Sequence, residues 1–391
     1  KTFLLLIILS AAAYGQSETE IIKQAKELIE NKKYESAFNV LNNYDSHNEK
    51  PDIVLLKEEI VLNYFVTSIM HQMFALKDLE IDEEIMDYRG KEGAFGMQSF
   101  EVGKILEKLI KEHPDNCALY NGLGEFYYEV FLKYQGNWLK DDNELQKLMK
   151  INFQKAIDGG CADFLSYYVL GYQALVEGKN KECIPFFRES IELNAEFPSS
   201  HYNLAYAYLF LNDRENAAHY AENSYKLYTD PEYKSDAARM LGQIYAELNE
   251  ESRALVYFEE ADSIDPGNFY NLRPILDIQV KTGHPDAAKT LSAFFNLAPG
   301  NPSIYNTLED IYYSYKKENE LIAFYKVQLD EFKGDYEVIG SLDFYLGKIY
   351  LNEDKKIATE YLLEAQAMFK KVFNDDHQVF DVIKEALQQA K

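Results

Sequence analysis

The sequence predicts an all-α fold built from stacked helical hairpins, and two observations support this prediction. Small residues recur at a fixed interval, as from Gly171 to Ala205, which lie 34 positions apart. Repeats of this length are typical of helical arrays in which each hairpin packs against its neighbours. Gly and Pro also separate segments of helix length, and strand-like alternation of apolar and polar residues is absent. The sequence therefore suggests no β-sheet.

The clearest copy of the repeat begins at Ser235. Because Gly242 has no Cβ, the first helix can approach its partner closely, and Ala254 is the small residue where the two helices cross. Phe258 and Ala261 follow Ala254 at i+4 and i+7, so they form the apolar stripe of the second helix. The proline that follows ends that helix. Seven positions mark this copy: Leu241, Gly242, Tyr245, Ala254, Phe258, Ala261 and Pro266.

Weaker copies precede and follow this one. Two upstream copies share the pattern at Leu170, Gly171, Cys183, Phe187, Leu204, Ala205, Tyr208, Ala217 and Ala221. Downstream copies are marked by Leu272, Tyr312 and Leu346. The pattern resembles the tetratricopeptide repeat. That resemblance implies a right-handed α-solenoid, with an array of about six repeats over residues 116–376 and a capping helix over residues 377–391.

The region over residues 16–115 is less regular, although it is helical and partly repeat-like. A long helix from Ile53 to Leu76 and a second from Phe100 to Glu112 are expected. Between them lies an acidic loop over residues 77–97, and loops of that length are usually functional or disordered. A further insertion, within the first regular repeat, holds the only tryptophan, Trp138.

Residues 1–15 have the features of a secretory signal peptide: Lys1, an apolar run from Phe3 to Ile8, and small residues before Gln16. The run is too short to span a bilayer as a helix. No Cys stands at the expected cleavage site, so lipid anchoring is not indicated. The end of this segment in Gly-Gln resembles exported proteins of Bacteroidota. We therefore expect a periplasmic or secreted protein that is soluble after cleavage and has no transmembrane segment.

The chain carries 65 acidic and 40 basic residues, which gives a formal net charge of −25. This balance disfavours nucleic-acid binding, because neutralising phosphates requires Lys and Arg, and it disfavours anionic lipid surfaces as well. Two interpretations stay open: a charge that maintains solubility, and steering of a basic partner. The cysteines, Cys117, Cys161 and Cys183, form no Cys-x-x-Cys motif, and buried packing is expected for all three.

The sequence contains no recognisable motif for catalysis or metal binding. The seven histidines are scattered, and none pairs with another at the i+3 or i+4 spacing of metal ligands. A P-loop, a nucleophile elbow and His-Glu-x-x-His are all absent. The stretch Gly90–Gly96 lacks the lysine of a P-loop, and Asp262–Asn268 lacks the spacing of a calcium loop. A flexible loop and a helix-stopping turn are the better interpretations, so we expect no catalytic site, cofactor or metal.

The resemblance also implies where a ligand binds. In tetratricopeptide repeats the first helices line a concave groove, and the groove residues fall at fixed positions of each repeat. Carried onto this sequence, these positions form an aromatic half, with Tyr168, Tyr172, Tyr202, Tyr206 and Phe210, and a charged half, with Arg239, Gln243, Arg273 and Asp277. Tyr and Arg are enriched at binding hot spots. Packing between repeats is the alternative interpretation for the tyrosines, and solvated helix surface is the alternative for the arginines.

The leading functional hypothesis is a non-catalytic scaffold that binds an extended peptide or a partner protein in this groove. Glycan binding or polysaccharide handling at the cell envelope is the alternative, because aromatic rings also stack on sugar faces. An enzyme is a third class, which the missing motifs disfavour. The chaperone-binding mode clamps an acidic C-terminus with Lys and Asn, and it is not supported because Tyr168, Tyr172, Tyr202 and Tyr206 occupy those positions.

Overall fold

The computed structural model describes residues 17–91, 93 and 95–391. The signal peptide predicted for residues 1–15 lies outside the described residues. The chain divides into two compact units, residues 1–212 and 213–391, and each is described by itself. Both units consist mainly of helical hairpins, so the prediction of an all-α solenoid is confirmed.

In the first unit the described residues form helical hairpins and one small sheet. The helices are α1 Glu18–Glu30, α2 Tyr34–Tyr44, α3 Pro51–Asn63, α4 Val102–Glu112, α5 Cys117–Tyr134, α6 Asp142–Gly159, α7 Phe164–Val176, α8 Asn180–Leu193 and α9 Pro198–Phe210. The sheet strands are β1 Thr67–Ile69, β2 Met73–Ala75 and β3 Met97–Ser99. Buried side chains from most of these elements form one continuous hydrophobic core.

The second unit continues the hairpin pattern without strands among its described residues. Its helices are α10 Arg214–Leu227, α11 Pro231–Glu247, α12 Glu251–Ile264, α13 Phe269–Thr282, α14 Ala287–Phe295, α15 Pro302–Ser314, α16 Glu318–Glu331, α17 Tyr336–Tyr350, α18 Lys355–Phe369 and α19 Val379–Gln389. Several first helices begin with proline, which is favoured at the first helical position because no intrahelical partner is available there for an N–H.

Close contact between paired helices depends on glycine, as the repeat pattern predicts. A Cβ placed on Gly171 of α7 would lie 2.9 Å from the ring of Phe187 on α8. On α11, a Cβ at Gly242 would lie 2.7 Å from the ring of Phe258 on α12. Both distances are shorter than carbon atoms tolerate, so the aromatic ring of each second helix occupies the space that glycine leaves open. The small residue Ala254 is fully buried at the same α11–α12 contact.

The sheet corrects two predictions for the N-terminal region. Helix α3 ends at Asn63, whereas the sequence suggested a helix that continues to Leu76. The segment that follows contains three β-branched residues within four positions, Val66, Thr67 and Ile69, and such residues lose side-chain freedom in a helix. It forms the antiparallel β1–β2 hairpin, which pairs Thr67 with Ala75, and β2 pairs in turn with β3. The expectation that the chain contains no sheet was therefore wrong.

The acidic segment over residues 77–97 is tethered to the turn between α1 and α2. Lys32 Nζ donates to the carbonyl of Glu83 at 2.9 Å and to the carboxylate of Glu84 at 2.7 Å. Lys33 Nζ donates to the carbonyl of Leu79 at 2.7 Å. Two adjacent lysines thus fix the first half of the segment, which explains why so acidic a stretch can pack against the helices.

The tip of the β1–β2 hairpin docks against the insertion that contains Trp138. The indole Nε1 of Trp138 donates to the carbonyl of Met70 at 2.8 Å. The fully buried His71, beside Met70, lies 2.9 Å through its Nδ1 from the hydroxyl of Tyr134. Burial lowers the pKa of His71 to about 4, and the nearby Lys133 acts in the same direction, so the ring is neutral near pH 7. The insertion in the α5–α6 hairpin therefore fastens the sheet to the repeats.

A disulfide joins Cys117 to Cys161, across a sequence separation of 44 residues and a Cα–Cα distance of 5.6 Å. The bond links the first residue of α5 to the turn that follows α6, so it closes the α5–α6 hairpin. The expectation that all three cysteines are buried packing residues was wrong for this pair. It is confirmed for Cys183, which is free and fully buried at the position of the small residue on α8.

Candidate functional site

The predicted aromatic residues form one row on each of two neighbouring helices, α7 and α9. On α7 the rings of Tyr168 and Tyr172 stack, with their centroids 6.2 Å apart. On α9 the ring of Tyr206 contacts Tyr202 at 5.3 Å and Phe210 at 6.0 Å. The residues are 45% exposed at Tyr172, 38% at Tyr206 and 64% at Phe210, so each row presents aromatic surface to solvent.

The buried end of the α7 row has a packing role. Tyr168 makes an edge-to-face contact with Phe197, whose centroid is 5.0 Å away, and its ring lies 6.2 Å from Phe187. Its hydroxyl accepts a hydrogen bond from Asn203 at 3.5 Å. Tyr168 therefore connects successive repeats, and the neighbouring exposed ring of Tyr172 is the part of this row that a ligand can reach.

Beside the α7 row lies a pocket of about 510 Å³, enclosed by α5, α6 and α7. The pocket exists because α5 and α6 are 18 residues long, whereas α7 and α8 have 13 and 14 residues. The longer hairpin overhangs the shorter one and supplies two of the walls. Most of the lining is apolar or aromatic: Tyr128, Phe131, Leu132, Met149, Tyr168, Val169, Tyr172 and Val176.

One rim of the pocket carries basic side chains. Lys150 Nζ lies 3.4 Å from the carboxylate of Glu177, and Lys179 Nζ lies 2.6 Å from the other oxygen of the same carboxylate. The hydrogen bond from Lys179 lowers the pKa of Glu177, as does Lys150. Two lysines share one carboxylate, and Lys147 also lines the pocket, so this rim is locally positive in a strongly acidic chain.

Helix α5 also carries a carboxylate in an unusual environment, Glu125, which precedes the pocket residue Tyr128 by three positions. Glu125 accepts a hydrogen bond from the side-chain amide of Asn121, and Asn121 in turn accepts one from the hydroxyl of Ser166. Glu58 of α3 lies next to Gly122 of α5, at 2% exposure, and its Oε1 has no hydrogen-bond partner among the described residues.

These carboxyl groups lack compensating cations. Burial raises the pKa of Glu125 to about 8, and the other groups that act on it, Asp163, Glu59 and Glu129, are all acidic and raise it further. Burial likewise raises the pKa of Glu58 well above its ordinary value, and Glu125 adds to this effect. Glu125 is therefore largely protonated near pH 7, and an approaching cation would favour its ionised form.

The charged set predicted for the second unit is spread over α11 and α13. Arg239 forms an ion pair with Asp236 and donates to the side-chain oxygen of Asn271 at 3.3 Å. Arg239 is therefore already neutralised by a carboxylate within its own helix. The other members differ in exposure, since Gln243 and Arg273 are exposed and Asp277 is half-buried. A pocket of about 430 Å³ is lined by Asp236, Arg239 and Tyr270, among others.

Outside residues 1–16, 92 and 94, no group of three or more His, Cys, Asp or Glu side chains could hold a metal ion. Over the same part of the chain, no helix is long and apolar enough to cross a membrane.

Sequence reasoning missed the pocket and the Glu125 environment. The groove positions used for α7 and α9, applied to α5, select Asn121, Glu125 and Tyr128, so the repeat pattern held this information. The pocket walls from Phe131 and Met149 had no such signal, because they depend on the extra length of the α5–α6 hairpin.

Comparisons with known proteins identify the repeat. A family model described as "Tetratricopeptide repeat" matches residues 198–231 and 240–268. No curated protein matches the chain. The match falls on the copies that contain Tyr208, Gly242 and Phe258, where the sequence pattern is strongest.

Solved structures that are similar to this chain include tetratricopeptide-repeat proteins. A tetratricopeptide repeat protein from Parabacteroides merdae has 19% identity and a TM-score of 0.41, and the match covers 69% of this chain and 98% of that chain. YrrB, described as a tetratricopeptide-repeat protein with an unusual peptide-binding site, has 16% identity and a TM-score of 0.38, covering 48% and 96%. Naa15/Naa10 bound to HypK has 15% identity and a TM-score of 0.45, covering 95% and 50%. At these levels the likeness concerns the repeat fold alone.

Proposed function

The chain is a tetratricopeptide-repeat protein, and on that premise we propose that it is a non-catalytic scaffold that binds an extended segment of a partner protein. The binding face is the one formed by α5, α7 and α9 of the first unit. The observation that supports this proposal is the pair of exposed aromatic rows, represented by Tyr172 and Phe210, beside the 510 Å³ pocket. Exposed aromatic surface next to a concave pocket is a frequent mark of interaction sites.

The exposed aromatic rings would supply most of the free energy of binding. Aromatic side chains bury large areas on binding and lose little conformational entropy, because they have only two rotatable bonds. Tyr172 and Phe210 each retain about half or more of their surface for a partner. The charged set of the second unit is a weaker candidate, because Arg239 already pairs with Asp236.

We also propose that the protein is exported, to the periplasm or the medium. The Cys117–Cys161 disulfide supports this location, since such bonds persist in oxidising compartments and are rare in the cytosol. The signal-peptide features of residues 1–15 in the sequence point in the same direction.

A capture experiment tests the scaffold proposal. Extract of the source organism is passed over immobilised wild type, over a double variant Tyr172→Ala with Phe210→Ala, and over a control, Tyr233→Ala with Val256→Ala. Both control positions are exposed on the second unit, at 56% and 62%. We expect a protein that is retained by wild type and control but lost by the double variant. Retention by all three would place the interaction elsewhere, and retention by none would refute the scaffold.

Glycan binding is the competing function, since Tyr172 and Phe210 could also stack on sugar faces. The same three proteins on a glycan array distinguish the two. Signals from wild type and control that disappear in the double variant would replace the protein-binding proposal with the glycan one.

A further inference from the structure

We propose that the pocket between α5, α6 and α7 holds a large apolar side chain of the bound partner segment, and that a basic residue next to that anchor lies against Glu125. This inference rests on the proposed scaffold function and specifies the chemistry of the segment.

The pocket itself selects an apolar anchor. About 510 Å³ is enough for a leucine-to-tryptophan side chain together with part of its backbone, and the walls include Phe131, Met149 and Val176. Val176 is 70% exposed, so this apolar surface is costly to leave in water and gains free energy when a partner covers it.

Charge determines which residue accompanies the anchor. At the Glu125 end the charged groups that act on this carboxyl, Asp163, Glu59 and Glu129, are all acidic. Its side-chain hydrogen bonds are to the neutral amide of Asn121 and to the carboxyl group of Asp163, so none of them brings a positive charge. A guanidinium or ammonium group arriving there would supply the missing counter-charge. At the other end, Lys147 and Lys150 would repel a second basic residue. The unlike ends therefore favour a segment with its basic residue on the Glu125 side.

The spacing suits neighbouring residues of one segment. Tyr128 lines the pocket and follows Glu125 by three positions, so the two lie on one face of α5. Three residues correspond to about 4.5 Å along a helix axis. Consecutive Cα atoms of an extended chain are about 3.8 Å apart, so adjacent or next-but-one side chains can reach both positions.

Photo-crosslinking with defined peptides tests the proposal on the full chain. The probe is a flexible Gly/Ser peptide with the photoreactive aromatic residue benzoylphenylalanine in the centre and Arg beside it. Two matched peptides serve as controls. The first has Glu in place of Arg. The second has alanine in place of the central aromatic residue, and its photoreactive group is attached elsewhere in the peptide. We expect crosslinks on pocket residues such as Met149, and half-saturation at a concentration at least tenfold lower with Arg than with Glu.

Three variants make the result decisive. Val176→Trp fills the pocket, and we expect it to abolish the crosslinks, whereas Val256→Trp, on the exposed surface of α12, leaves them unchanged. Glu125→Gln keeps the shape of the side chain, and we expect it to remove the preference for Arg without removing the crosslinks. Crosslinks scattered over both units, or an Arg preference that survives Glu125→Gln, would overturn the proposal.

Other occupants give other outcomes. A dimer in sedimentation that Val176→Trp dissociates would show that a second copy fills the pocket, and displacement of the probe by oligosaccharides would show a glycan there. Either result contradicts the proposal. If a captured partner instead binds Val176→Trp as well as wild type but is lost by Tyr172→Ala with Phe210→Ala, the scaffold stands and only the pocket assignment falls.

Discussion

Glu125 is expected to make the stability of the first unit depend on pH, and Glu125→Gln should remove the part of that dependence that comes from this carboxyl. In the folded protein the pKa of this carboxyl is raised from an ordinary 4.5 to about 8, because the group is buried among other acids. A raised acid pKa means that the folded state holds its proton more tightly than the unfolded chain. The contribution to stability is therefore fully present below pH 4.5 and is lost as the pH rises through about 8.

The magnitude follows from the two pKa values. Linkage between 4.5 and about 8 gives a loss of up to about 3.5 kcal/mol in the free energy of unfolding between pH 5 and pH 8. Gln cannot ionise, so the variant lacks this loss while keeping the hydrogen bond from Asn121 to a carbonyl oxygen. The free energy of unfolding of wild type, relative to that of the variant, should therefore be higher at pH 5 than at pH 8. Asp343 in the second unit, with a pKa of about 7 through burial, acts in the same direction on its own unit.

The only tryptophan allows the first unit to be observed alone. Trp138 lies in that unit, half-buried and hydrogen-bonded to Met70, so its fluorescence in urea titrations reports the unfolding of that unit. The measured quantity is the difference in unfolding free energy between wild type and Glu125→Gln, at pH 5 and at pH 8. Glu30→Gln, an exposed position at the end of α1, serves as control. An equal difference at both pH values would refute the assignment of a raised pKa to Glu125.

Three further predictions concern the framework. Replacing Cys117 and Cys161 by Ser should lower the free energy of unfolding of the first unit by up to about 4 kcal/mol, the chain-entropy value for a separation of 44 residues, and reductant should destabilise wild type but not the variant. Gly242→Ala should cost about 1–3 kcal/mol by overpacking against Phe258, measured by urea unfolding followed by helical circular dichroism; no loss would contradict the close-contact role. Trp138→Phe should speed amide exchange in the β1–β2 hairpin and leave the second unit unchanged; uniform exchange would show that the insertion does not fasten the hairpin.

The regular repeats could be predicted from sequence because their packing rules are local. The small residue and the aromatic residue occupy fixed positions in these hairpins, as Gly242 and Phe258 do in α11 and α12, and their contact follows from helix geometry alone. The β1–β2 hairpin gave no such signal. Its strands are three residues long, and the turn places Met70 and His71 at positive φ, where Asn and Gly are the usual residues. Tertiary contacts of His71 and Trp138 compensate for the unfavourable turn, and those contacts join residues far apart in sequence.

The disulfide and the pocket could not be predicted from the sequence, for different reasons. Three cysteines allow several pairings, and the choice of Cys117 with Cys161 depends on how α5 packs against α6. The pocket depends on the unequal lengths of neighbouring hairpins, whose ends are the least certain part of a sequence prediction. The aromatic rows, in contrast, were predicted residue by residue from the repeat, and the structure shows that Tyr168 belongs to the packing while Tyr172 and Phe210 are exposed.

The most direct test of the central claim is the affinity of a captured partner for the aromatic face, measured by calorimetry. Loss of two central aromatic anchors should weaken binding by at least about 2 kcal/mol, or roughly thirtyfold. We expect this loss for Tyr172→Ala with Phe210→Ala, and less than about a twofold change for Tyr233→Ala with Val256→Ala. Equal affinity of the two variants would show that the exposed aromatic rows of α7 and α9 are not the binding site.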